Sequence, residues 1–190
     1  MAFEIISFLS GAATAVFAEP LRRWIYRPSL TIEFIVADHF VAKTPESSGT
    51  SVYDAYYVRV KVTNRRRSLA KSCRAYLVDI ERRGHSDAWE PTEYCESLQL
   101  GWSARGVGAY EALDLPHTVP HFIDVVSTRS PSTSFLPALN LHLYRYERLF
   151  ATPGTYRFTV LVSGDGVKPA TLRISFEWTG QWDQFKVANA

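Results

Sequence analysis

The sequence is poor in the residues on which small catalytic and metal-binding domains are usually built: two cysteines, one methionine and five histidines in 190 residues. Cys73 and Cys95 cannot staple a fold of this size, and neither belongs to a C-x-x-C pair, so a disulfide framework, a zinc ribbon and a redox motif are not expected. Both are expected as free, buried thiols, with a bridge between them plausible only in an oxidising compartment. A formal net charge of +2 supplies no global field toward nucleic acid, and 21% charged residues, well mixed, argue against long disordered tails. No Gly-x-Ser-x-Gly marks a nucleophile elbow, and Arg105-Gly106-Val107-Gly108 lacks the rest of a dinucleotide fingerprint. His117 and His121, four apart with Asp124 beyond, would suit a metal on a helix, but Pro116 and Pro120 argue against a helix there. No catalytic residue, metal ligand or cofactor is therefore expected.

A long hydrophobic run is missing as well. The uncharged stretch from Ile5 to Ala18 has 14 residues, fewer than the roughly 20 of a typical membrane span. Its flanks are more informative than its length. Counted from Met1 to Ala18, with only Glu4 charged, the segment has 18 residues, or about 27 Å of helix. Glu19 and Pro20 follow, then Arg22, Arg23, Trp24, Tyr26 and Arg27, a basic and aromatic cluster of the kind found where a chain leaves a bilayer on its cytoplasmic side. A helix lying in the interface or on the protein's own sheet, and a cleaved signal peptide, are the competing readings; the n-region of a signal peptide would carry Lys or Arg rather than Glu4. Ser7, Gly11, Thr14, Ala15 and Ala18 form a stripe of small residues that would let two such helices approach closely in lipid, so a homo-oligomer through this segment is expected.

After Pro28 the pattern changes to period two. Tyr56, Val58, Val60 and Val62 alternate with polar neighbours, as do Tyr156, Phe158, Val160 and Val162, and Leu172, Ile174, Phe176 and Trp178. Further strands are expected over Leu30–Ala37, Cys73–Glu81, Glu96–Trp102, His121–Ser127 and Leu139–Arg145, with turns at Pro153-Gly154 and Gly164-Asp165-Gly166. No amphipathic helix of ten or more residues stands out. Seven to eight short strands without helices predict a mainly β domain over residues 29–180, a two-sheet antiparallel sandwich with a small barrel as the runner-up, after an anchor and stem over 1–28 and before a tail over 181–190.

The segment from Tyr57 to Asn64, its turn, and the segment from Ala70 to Leu77 resemble the strand, Asn turn and strand of immunoglobulin-like adhesion-type domains, and Pro153–Val160 resembles their penultimate strand. In place of the usual turn glycine after Asn64 stands Arg65-Arg66-Arg67. The resemblance, at the level of fold, is to bacterial membrane-anchored immunoglobulin-like proteins of unassigned role, and it implies binding rather than chemistry.

Arg65, Arg66 and Arg67, with Lys71 and Arg74 nearby and Arg59 and Lys61 on the polar face of the same expected hairpin, form the densest basic patch outside the stem. A solvated hairpin tip is its plainest reading, and contact with anionic lipid heads fits a tethered domain better than contact with nucleic acid. The segment from Gly101 to Pro120, with Trp102 and Tyr110, is the longest candidate recognition loop. Trp178, Trp182 and Phe185 are expected to cap the end of the sandwich. The chain thus reads as a non-catalytic sensing or protein-binding module on the cytoplasmic face of the inner membrane, with lipid, a second copy and an unknown protein as partners. The alternative is an effector whose helix oligomerises and perturbs the bilayer when the sandwich senses a ligand.

Overall fold

The computed structural model describes residues 26–48, 50–141 and 143–190. Arg22, Arg23, Trp24 and the small-residue stripe of Ser7, Gly11, Thr14, Ala15 and Ala18 lie outside the described residues. Among the described residues no helix is long and apolar enough to cross a membrane.

Each clear run of alternating residues becomes a long strand. In chain order the strands are β1 (Leu30–Glu33), β2 (Val41–Ser48), β3 (Ser51–Asn64), β4 (Ala70–Arg83), β5 (Trp89–Pro91), β6 (Leu98–Leu100), β7 (Leu113–Leu115), β8 (His121–Arg129), β9 (Leu136–Pro137), β10 (Gly154–Asp165), β11 (Ala170–Gln181) and β12 (Gln184–Asn189). They form two antiparallel sheets. One runs β1-β3-β8-β9, with β2 placed beyond β1 along the same edge of β3. The other runs β12-β11-β10-β4, and the outer edge of β4 is covered in turn by the short strands β5, β6 and β7. The chain changes sheet between β3 and β4, returns between β7 and β8, and crosses again between β9 and β10. Residues 65–69 therefore cross from one sheet to the other, where the sequence had suggested a hairpin.

The apolar faces of the two sheets meet in one core. Val58, Val60 and Val62 of β3 are buried with Ala75 and Leu77 of β4, Phe158, Val160 and Val162 of β10, and Ile174, Phe176 and Trp178 of β11. Alternation in β4 breaks after Leu77, where a bulge opposite Thr159 and Val160 shifts the register so that Ile80 again points inward. Phe135, from the connection between β8 and β9, is fully buried at the centre, with ring centroids 5.2 Å from Tyr156, 5.3 Å from Phe176 and 5.9 Å from Trp178.

Several expectations are corrected. Leu139–Arg145 is not a strand; a 3-10 turn over Tyr144–Tyr146 leads into a short helix α1 (Glu147–Ala151). Tyr146, Leu149 and Phe150 are buried there while Tyr144 is 75% exposed, a spacing of three and four that fits a helical turn and not a strand. The first strand stops at Glu33, and Val36 and Ile35 beyond it are exposed. Residues 184–189, expected as tail, add β12 to the edge of β11. Cys73 is buried and Cys95 exposed, and both are free thiols.

Candidate functional site

Asn64, the last residue of β3, builds the local structure at one end of the sandwich. Its side chain is fully buried, donates to the carbonyls of Ser68 (2.7 Å) and Leu115 (3.0 Å), and accepts from the backbone N–H of Arg66 (3.1 Å). An asparagine that closes a turn onto its own backbone replaces the conformational freedom a glycine would supply, so Arg65, Arg66 and Arg67 can follow it. All three are exposed. Arg65 reaches the Thr31 hydroxyl at 3.1 Å, and Arg66 and Arg67 make no ion pair among the described residues.

Three other segments converge on this loop. The backbone N–H of Arg65 donates to Ser29, which bridges to Lys168 in the turn between β10 and β11. Asn64 bridges to His117, and its carbonyl accepts from Thr118 at 3.0 Å. The stem arrives here too: Arg27 donates to the carbonyls of Gly166 (2.9 Å) and Val167 (3.0 Å). Tyr26, Arg65, Arg66, Arg67, Ser68 and His117 line a shallow cleft of about 400 Å³.

The rest of the expected patch is divided among other faces. Arg59 is paired at 2.9 Å with Asp124, which also accepts from the Ser103 hydroxyl at 2.6 Å. Lys61 is paired with Glu33. Both lie on the outer face of the β3 sheet and are neutralised there. Lys71 lies opposite Asp165 and Arg74 opposite Ser163 on the β4–β10 ladder; Lys71 is close to the loop end and Arg74 is farther along the strand. Tyr26, Arg27, Lys168 and His117 join Arg65–Arg67 through topology alone, with no local signal in the sequence beyond the charge of each residue.

Other chemistry-bearing residues are fastened into the structure. Burial, with the nearby Asp114 and Asp165, pushes the Cys73 thiol up to about 11. The Tyr146 hydroxyl bonds to Glu96, which Arg145 also pairs, and lies 3.5 Å from Cys95 Sγ, tying the β5–β6 connection to α1. Burial, helped by Arg105, lowers the pKa of His121. Among the described residues no group of three or more His, Cys, Asp or Glu could hold a metal ion. Trp102 is 1% exposed and belongs to the core, so the Gly101–Pro120 segment folds back onto the domain with Val107 at its exposed tip. Trp182 and Phe185 pack on Tyr56 at 5.7 and 5.5 Å and cap the sandwich. A second, apolar groove of about 540 Å³ lies between the β1–β2 connection and β12, lined by Val36, Val41, Phe185 and Val187.

The fold and these loops define an antiparallel β-sandwich with a basic end at which its N-terminal stem is seated. No family model matches the chain, and no curated protein matches it.

Proposed function

We propose that the chain is a membrane-anchored, immunoglobulin-like binding module without catalytic function, held at the cytoplasmic face by its first 28 residues. The observation that carries the reading is the seating of the stem: Arg27 is fixed to two backbone carbonyls at the end of the sandwich that also presents Arg65–Arg67. A stem fixed in this way holds the basic end toward the bilayer, and basic residues accumulate on the cytoplasmic side.

The immunoglobulin-like part of the reading is supported by strand order. β1-β3-β8 facing β11-β10-β4 corresponds to the A-B-E and G-F-C strands of that architecture, while β9 follows β8 in the chain where strand D would precede E, and the short strands between β4 and β8 pair with β4. Tyr156, near the start of β10, places its hydroxyl 2.6 Å from the Thr152 carbonyl and 3.1 Å from that of Leu149, as the tyrosine corner of such domains does. Phe158 stands two residues on, where antibody domains have a cysteine, and aromatic packing around Phe135 takes the place of an inter-sheet disulfide.

The test is accessibility in intact cells. The full chain carries a single exposed cysteine at Ser47→Cys or Thr133→Cys in a Cys95→Ser background, with membrane fractionation alongside. Protein retained in the membrane and protected from an impermeant thiol reagent supports the reading. Labelling from outside overturns the orientation, and recovery in the soluble fraction overturns the anchor.

A further inference from the structure

We infer that the stem-bearing end of the sandwich is a docking face for anionic lipid headgroups, in which Arg65, Arg66 and Arg67 meet the phosphates and Tyr26, Leu69 and Val119 enter the interfacial layer. The inference rests on the anchored reading for the orientation of this face toward the bilayer, and adds a ligand class and named contacts to it.

Charge is the first argument. Arg27, Arg65, Arg66, Arg67, Lys71 and Lys168 lie at this end and are exposed. The carboxylates beside them are Asp114, which accepts from the Ser72 N–H at 2.8 Å, and Asp165, opposite Lys71. The excess is local, because the whole chain carries only +2. Elsewhere, exposed or half-buried cations such as Lys43, Arg59, Lys61, Arg83 and Arg157 have carboxylate partners. Guanidiniums in a row, with no carboxylate partner among the described residues, offer the forked donor geometry that matches phosphate oxygens.

Apolar groups provide the second argument, and they distinguish a bilayer from a nucleic acid. Tyr26 is 65% exposed, Leu69 42% and Val119 44%, and all three flank the arginine loop. Leu69 follows Arg65–Arg67 and Ser68 directly, and Val119 lies two residues past His117, which lines the same cleft. Aliphatic side chains set among arginines gain nothing from a solvated phosphate backbone, whereas at a headgroup layer they reach the acyl boundary. The loop at the far end, residues 130–134, is Ser-Pro-Ser-Thr-Ser and has neither feature.

The third argument is position. Chain outside the described residues joins the domain at Tyr26, on this face. A tether that close holds the face at a high effective concentration near the bilayer, so weak individual contacts suffice. Each arginine near an anionic surface is expected to favour docking about five-fold, and the three together about 100-fold.

The experiment uses the full chain in nanodiscs of phosphatidylcholine alone or with 30 mol% phosphatidylglycerol, the anionic fraction being about one lipid in three. A spin label is placed at Val119→Cys, or at Thr133→Cys as the far-end control, in a Cys95→Ser background. Docking predicts that the Val119 label becomes accessible to a lipid-soluble relaxant only in the anionic discs, returns to water in about 1 M salt, and stays in water in the Arg65→Glu/Arg66→Glu/Arg67→Glu variant. The Thr133 label stays in water throughout. A Val119 label in water in both discs, while the chain remains disc-bound in high salt, overturns docking and leaves the anchor standing. A chain that leaves the discs in high salt but gives the anionic-disc signal at low salt overturns the anchor and leaves docking standing. Binding of a single-stranded oligonucleotide that is lost in the triple variant, with the label in water, overturns docking in favour of nucleic acid.

Discussion

Gly164 decides how closely β4 and β10 can approach at the basic end, and a methyl group probes the fit. A Cβ added at Gly164 would lie 2.5 Å from the carbonyl oxygen of Lys71 and 2.8 Å from Cys73 Sγ, closer than real side-chain contacts permit. The nearer atom is backbone held in the β4–β10 ladder, so the strain cannot be relieved by a rotamer change. Gly164→Ala is expected to cost about 1–3 kcal/mol in urea unfolding. Cys73→Ala should not rescue it, because the thiol is the farther of the two obstacles. Full rescue would mean that sulfur and not backbone sets the limit. Glycine at this position is thus required by space alone, unlike Gly166, whose φ of +65° in the next turn faces open space.

The β11–β12 hairpin shows how an element that sequence patterning passes over comes to matter. Phe185 of β12 lies 5.3 Å from Phe176 in the core and 5.5 Å from Tyr56 on the opposite sheet, so it closes the gap between the sheets. Phe185→Ala is expected to lower stability by about 2 kcal/mol, less than a fully buried phenylalanine because the residue is half exposed. Thermal and urea midpoints check this, and an unchanged midpoint would show that the hairpin only decorates the edge. The long strands β3, β10 and β11 were legible because one face of each is wet and the other dry, which writes period two into the residues. β12 alternates only over Phe185 and Val187, beyond a Gly180 that reads as an end. β2 has no alternation to read: it is an edge strand, its Pro45 stands opposite Asp54, and it is specified by its eight-residue pairing with β3. The helical spacing of Tyr146, Leu149 and Phe150 was present but crossed the end of an apparent strand. At the candidate site the Arg65–Arg67 run was legible, whereas its union with Tyr26, His117 and Lys168 comes from crossings between sheets that no local pattern encodes.

At the scale of the molecule, an aromatic core without a disulfide ties stability to the protonation of buried tyrosines and one thiol. Burial pushes Tyr94 up to about 12 from an ordinary 10.0, its hydroxyl donating to the Leu77 carbonyl at 3.0 Å, and Cys73 to about 11 from 9.0. Burial also raises Tyr57, Tyr110 and Tyr156. Each of these groups binds its proton more tightly folded than unfolded, so the unfolded chain releases protons first as pH rises. Their contribution is complete below pH 9, the ordinary thiol value, and is lost as pH climbs through the folded values toward about 12. Urea unfolding measured from neutral pH upward should therefore show stability falling from about pH 9, with the thiol leading and the tyrosines following. Tyr94→Phe should lower stability at neutral pH, where the Leu77 carbonyl loses its donor, yet flatten the fall between pH 10 and about 12. Cys73→Ala should flatten the earlier part, from pH 9 to about 11. A profile that stays level to pH 11 would show that these groups are solvated when ionised and that the core opens locally before it unfolds. Parallel loss in both variants would instead place the alkaline sensitivity outside the core, in surface pairs such as Lys43–Asp54, whose ammonium is also held above its ordinary value by that carboxylate.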